Sequence, residues 1–252
     1  MVNLTQSEFE QLKKFRLSCE NTTAHLAMNC LDLLEPEKLR VLIHDKNIQR
    51  KLNTSRKQVI GSMFMKRYAF VAALILYSMS AYNKGLNCSM ENVSLLHNEN
   101  DPIWLPHVYL KDLTVTIPDG SNRDQWRQTL VETLFKGHIS PIISAVAKET
   151  KMSKTILWEN TAIYIFWMYE TLLQQELNED ERAIINSDFQ YVVLDAPPEL
   201  FGWKGTNPLS RFFVEKVENV RKRSTCCLFY FTSKNGDRCK TCPIECNKPN
   251  NN

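Results

Sequence analysis

The chain has 252 residues, 43% hydrophobic and 23% charged, with a formal net charge of +3. Only 7 are glycine, against an average usage near 7%, and neither G-x-G-x-x-G nor a Walker A pattern occurs, so glycine-rich phosphate loops are excluded. The composition also excludes disordered and collagen-like chains, and no internal repeat is present.

Taken in chain order, Ser7-x-x-Glu10 reads as a capping box opening a helix to about Cys19. Thr23 to Leu34 reads as a second, short amphipathic helix, and Pro36 starts a third, to about Leu52. Ser55 to Tyr82 is a long helix with Phe64, Tyr68, Val71, Ile75 and Met79 on one stripe. Asn83 to Pro106 is polar and loop-rich. Alternation then appears at Val108 and Leu110 and again at Leu113, Val115 and Ile117, with a slip at Lys111-Asp112 that predicts a bulge or a turn between two strands. Ser121 to Glu149 predicts two helices or one kinked helix, broken near Gly137–Pro141. Ser153 to Leu177 is apolar nearly all round, the mark of a core helix. Glu159 and Asn160 interrupt it; they read as a satisfied buried hydrogen-bond pair, with ligand contact or anchoring of the tail as the functional alternative. Asn178 to Asn186 reads as an acidic helix, Tyr191 to Leu194 as a strand, Asp195 to Pro208 as a linker, and Pro208 to Val220 as a helix.

Eight cysteines are present, and five (Cys226, Cys227, Cys239, Cys242, Cys246) fall in the last 27 residues. Charge is segregated in the same way: residues 200–252 carry a net +6 and residues 1–199 a net −3. The first fifteen residues have no apolar core, so no signal peptide is expected. The longest apolar run, Tyr68 to Met79, covers about 12 residues, where a bilayer span needs roughly 20. No transmembrane segment is therefore expected, and the expected location is the cytoplasm, where thiols stay reduced and clustered cysteines bind metal or do redox chemistry.

Within the tail, Cys239-x-x-Cys242-Pro243 forms a knuckle-like turn. Leu228 to Phe231 predicts a strand and Lys234 to Asp237 a hairpin turn, which would carry Cys226 and Cys227 back beside Cys239 and Cys242. Three chemistries fit four such thiols. A zinc ribbon prefers two C-x₂₋₄-C pairs, and adjacent cysteines pointing to opposite faces chelate one ion awkwardly. A [2Fe–2S] cluster, with more widely separated ligand positions, accepts adjacent cysteines more easily. A redox dithiol at Cys239 and Cys242 would leave the first pair idle. On the residues alone all three remain open, as does a zinc-stapled interaction or nucleic-acid-binding module.

The order Trp158-Glu-Asn160, Asn207-Pro208-Leu209, Arg221-Lys-Arg-Ser-Thr-Cys-Cys-Leu-Phe-Tyr230 and Cys239-x-x-Cys242-Pro243 resembles the FhuF-like ferric siderophore reductases. The resemblance covers the last 100 residues well and the rest more loosely. It implies a mainly α protein with minor β structure (α+β), whose helical body is related to the C-terminal half of aerobactin-type siderophore synthetases. A siderophore-binding body over residues 1–200 would then be followed by a cluster module over 201–252. It further implies that Cys226, Cys227, Cys239 and Cys242 ligate a [2Fe–2S] cluster, which passes one electron to a bound Fe(III)–siderophore, with hydroxamate or citrate-hydroxamate types expected. Eleven residues separate Cys227 from Cys239, and Cys246 lies outside the pattern. On this reading Arg221, Arg223, Lys240 and Trp203 are candidate substrate contacts. The absence of a flavin or NAD signature implies an external donor such as a ferredoxin or reductase, and nucleic acid is not an expected partner.

Overall fold

Two helices form the axis of the molecule. Helix α4 (Lys57–Tyr82) has no carboxylate, and nineteen of its 26 residues are buried; α7 (Lys154–Leu173) is buried from Leu157 through Ala162 and again at Ile165, Phe166, Met168, Tyr169 and Leu172. Both lack an amphipathic face because neighbours cover them on several sides. By length and composition α4 is the one helix among the described residues able to cross a membrane, yet 83% of its apolar window is buried inside the protein. The computed structural model describes residues 2–18, 25–120 and 122–245; Cys19 and Cys246 lie outside them.

Around this pair pack α1 (Gln6–Leu12), α2 (Pro36–His44), α3 (Lys46–Lys51), α5 (Arg123–Leu134), α6 (Ser140–Thr150) and α8 (Glu179–Gln190). The α1 capping box is Thr5 with Glu8, two residues earlier than Ser7-x-x-Glu10 predicts, and a left-handed Arg16 ends the segment. The predicted third helix is two, because Asp45 leaves helical geometry and caps the second through Ile48 N–H at 2.8 Å. Helices α5 and α6 are joined without a break by a π-helical turn, Phe135–Ile139. That turn places His138 where its Nδ1 meets the Cys88 carbonyl at 2.7 Å and its Nε2 meets the Tyr68 hydroxyl at 2.5 Å. Gly61 lets α4 approach α6: a Cβ there would lie 2.7 Å from the Thr150 methyl.

The β structure forms two small sheets. One runs β2 (Leu17–Ser18), β6 (His107–Leu110), β5 (Val93–Asn98), β3 (His25–Asn29); the other runs β1 (Val2–Asn3), β7 (Thr114–Thr116), β4 (Gly85–Leu86). The slip at Lys111-Asp112 is thus the point where the chain leaves one sheet for the other. It is held by Asn92, whose Oδ1 accepts from Asp112 N–H at 2.7 Å and whose Nδ2 donates to the Asp112 carbonyl at 3.0 Å. Within the expected Thr23–Leu34 helix, the described part is instead strand β3 followed by a 3₁₀ turn, Leu31–Leu34. Cross-strand pairing with β5 supplies its backbone partners. The expected loop 83–106 contains β4 and β5.

Beyond α8 the sequence pattern is overridden more often. Tyr191–Asp195 is a π-helical extension rather than a strand, with Val192 and Val193 buried and the Val192 carbonyl taken by Asn207 Nδ2 at 3.0 Å. The expected helix from Pro208 stops after one 3₁₀ turn, Ser210–Phe212. The Asp195–Pro208 stretch is packed, with Leu200 and Phe201 in the core.

Candidate functional site

The tail from Arg221 to Glu245 has almost no regular structure, and discrete polar contacts fix it to α4 and α7. Arg223 is buried, with its side chain 0% exposed, and pairs with Glu159 at 3.2 Å. Its Nη2 also donates to Asn160 Oδ1 at 2.7 Å. Glu159 in turn accepts the backbone N–H of Ser224 at 2.5 Å and of Thr225 at 3.0 Å, along with the Thr225 hydroxyl. Asn160 Nδ2 donates to Ser62 Oγ at 2.9 Å, and Ser62 Oγ donates to the Cys227 carbonyl at 2.7 Å. The two polar residues that interrupt α7 therefore form a relay from the core helices to the cysteines. Burying this charge pair is tolerable because its lone pairs and protons are largely satisfied.

The two cysteine segments meet. Cys227 Sγ lies 3.7 Å from Cys239 Sγ, the edge of a tetrahedron drawn with metal–sulfur bonds of about 2.3 Å. The Arg223 backbone N–H donates to the Thr241 carbonyl at 3.0 Å and so ties the segments together. No disulfide forms among Cys226, Cys227, Cys239 and Cys242. Arg238 Nη1 is 3.8 Å from Cys242 Sγ and also acts electrostatically on Cys226. One thiol of each segment thus lies toward Lys66 and one toward Arg238. Among the described residues no three His, Cys, Asp or Glu side chains gather tightly enough for a single ion.

The surroundings favour the thiolate at Cys227 and Cys242. Cys227 shares its proton with Cys239, which holds the Cys227 thiol well below its ordinary value against the cost of burial; Lys66, Arg223 and the Phe229 N–H add to the effect. Cys239 is pushed up in exchange. At Cys242 burial pulls upward, but the N–H groups of Glu245 and Ile244 and the Arg238 guanidinium outweigh it and lower the thiol. Lys66 Nζ sits 3.8 Å from Cys227 Sγ, and burial lowers its own pKa. The expected hairpin is absent: Leu228 is left-handed at φ 61° and Phe229–Phe231 is a 3₁₀ turn, because the Cys227 sulfur takes the Phe229 N–H that a strand would need.

Residues 62–220 match the family model described as ferric iron reductase FhuF-like transporter, and residues 223–243 match the one described as FhuF 2Fe-2S C-terminal domain. The chain belongs to the FhuF-like family. Six chains among solved structures also match. One is the aerobactin synthetase IucC from a hypervirulent pathotype of Klebsiella pneumoniae, at 12% identity and a TM-score of 0.48 over 75% of this chain. The chain spans 36% of that synthetase's length. Comparison with curated proteins by sequence gives no match.

The family match relates the chain to ferric iron reductases and gives its C-terminal domain a [2Fe–2S] cluster. The donor set fits that group. Four thiols lie in two facing segments, N–H and cationic groups point at the sulfurs, and Arg223 Nη1 is buried with no hydrogen-bond partner. An orphaned buried cationic N–H beside thiolates is costly unless an anionic acceptor stands near it.

The proposed substrate contacts fare differently. Arg223 is interior and pairs with Glu159, which makes it an anchor of the tail. Arg221 pairs with Glu170 at 2.5 Å and lies over the Phe213 ring at 4.1 Å, which makes it an anchor too. Trp203 is half-buried, 6.1 Å from Trp158, and lines a small cavity with Thr155, Arg211 and Phe212 that no cysteine touches. Lys240 is exposed, next to Cys239. Sequence reasoning missed Ser62 and Lys66; both lie on a helix whose apolar pattern hides them, and Lys66-Arg67 as a charged pair inside it was the available signal. An apolar cavity of about 300 Å³ lies between Val41, Leu42, Ile48, Leu95 and Trp104, and no cysteine lines it.

Proposed function

We propose that this chain is a ferric siderophore reductase acting in the cytoplasm, with Cys226, Cys227, Cys239 and Cys242 as the cluster ligands, a body over residues 1–200 and a cluster module over 201–252. The observation that carries the reading is the meeting of the two cysteine segments inside a cationic setting fixed to α4 and α7. When bound, the cluster supplies one electron at low potential to Fe(III), and the siderophore is released unaltered because hard anionic oxygens hold Fe(II) far less tightly. The chain's own groups favour the thiolate at Cys227 and Cys242, exclude water on the Cys227 side, and tune the site through N–H···S contacts and the charges of Lys66, Arg223 and Arg238. With no flavin or nicotinamide motif in the sequence, a separate one-electron donor protein is required.

Anaerobically purified protein is expected to be red-brown, with two irons and two sulfides per chain, bleached by dithionite and recoloured by ferric siderophore in stopped flow. Cys227→Ser should lose that cluster while keeping the far-UV signal of the helical body. A colourless protein carrying one zinc would overturn the reading.

A further inference from the structure

Helix α4 brings two cations without a carboxylate partner among the described residues to the Cys227 side of the tail. Arg221, Arg223 and Arg238 each face a carboxylate, at Glu170, Glu159 and Glu245. Lys66 and Arg67, adjacent on α4, pair with none among the described residues. Lys66 lies against Cys227 and 5.2 Å over the Phe229 ring. Arg67 donates to the Trp104 and Met63 carbonyls, with its guanidinium 5.6 Å over the Trp104 ring. Both are largely removed from water, which strengthens their pull on an approaching anion.

One turn along, Phe70 meets Tyr164 of α7 at 5.1 Å and Trp167 at 6.5 Å, and Trp167 contacts Phe15 at 5.7 Å. Positions 66, 67 and 70 share a face of α4, as 164 and 167 share one of α7. Trp167 is 44% exposed, on a helix that buries eleven of its 20 residues. A cationic and aromatic strip thus starts at Cys227 and runs along the seam of the two core helices.

We propose that this strip, Lys66, Arg67, Tyr164 and Trp167, is the contact surface for the ferric substrate. It selects Fe(III) chelates of net negative charge, those with uncommitted carboxylates, over cationic trishydroxamate complexes. The inference rests on the reductase reading above. The two partly buried cations attract anionic chelates, and the rings offer flat apolar area to chelate arms.

Redox-inert Ga(III) complexes separate binding from reduction. The purified holoprotein is titrated by calorimetry with the Ga(III) complex of a citrate-dihydroxamate, which is anionic, and with that of desferrioxamine B, which is cationic. The anionic complex should bind at least about tenfold tighter, with an advantage that shrinks in high salt. Arg67→Gln should weaken it about tenfold and Trp167→Ala about threefold; with the Fe(III) complex both should raise KM and leave kcat within about twofold. Trp167→Ala, at an exposed position, keeps the test valid if Arg67→Gln folds poorly. Equal affinity for the two complexes, or wild-type affinity in both variants, would overturn the strip even where Fe(III) chelates still reoxidise the reduced protein. If no Fe(III) chelate reoxidises it, the reductase reading fails instead, and the Ga(III) titrations still decide the strip.

Discussion

The α4–α7 pair and the cysteine tail solve opposite problems. The helices are ordered by apolar burial spread over dozens of side chains, so no single contact is decisive. The tail buries little apart from Cys227, Cys242 and Arg223, and depends on a few polar contacts of high individual weight. A distributed core tolerates small changes, whereas a polar relay fails when one member is removed. Removing single groups tests that difference directly.

The largest effect is expected at Glu159. Glu159→Ala leaves Arg223 charged and buried without its partner, a loss of about 3–5 kcal/mol. Denaturant unfolding should show the drop, and iron content per chain should fall with it. Wild-type stability in this variant would mean that the tail is held by something other than the relay.

In the body, His138 provides a contrasting probe. Burial pushes its pKa down to about 4 from the ordinary 6.5, with the Cys88 carbonyl opposing. Because Nδ1–H must donate to that carbonyl, Nε2 accepts from Tyr68 and the ring is neutral. A depressed histidine contributes stability that is fully present above about pH 6.5 and is lost as pH falls toward 4, up to about 3 kcal/mol. Unfolding followed by tryptophan fluorescence between pH 7 and pH 4 should show this slope, and His138→Gln should flatten it. A slope unchanged in the variant would assign the acid sensitivity elsewhere.

The smallest effect is expected at Ser62, where Ser62→Ala strands the Cys227 carbonyl and an Asn160 N–H. About 1–3 kcal/mol should be lost, with the midpoint of cluster release by a chelator moving further than the midpoint of helix unfolding. Equal movement of both would mean that tail and body unfold as one unit.

The same division explains what the sequence made legible. Helices α4, α7 and α8 follow from local pattern: long apolar composition agrees with burial in the first two, and a capped acidic start marks the third. The two short strands around Lys111-Asp112 were readable from their alternation. The strand His25–Asn29 was not, because only its pairing with Val93–Asn98 selects it over a helix. In the tail, Leu228-Phe-Tyr-Phe231 has strand composition, but the Cys227 sulfur claims the Phe229 N–H and turns the chain. The grouping of the cysteines was legible from their spacing. Which basic residues stay unpaired was not, since partners such as Glu170 lie some fifty positions away from Arg221.

The Arg223–Glu159 clasp closes a loop of 64 residues. Contacts so distant in sequence come late in folding, since the chain entropy of closing the loop must be met first. Glu159 is presented only once α7 has formed against α4, so the helical body is expected to fold ahead of the tail. During synthesis the cysteines would then stay accessible until the body is complete, and metal loading would be timed by the formation of a helix that holds none of the ligands.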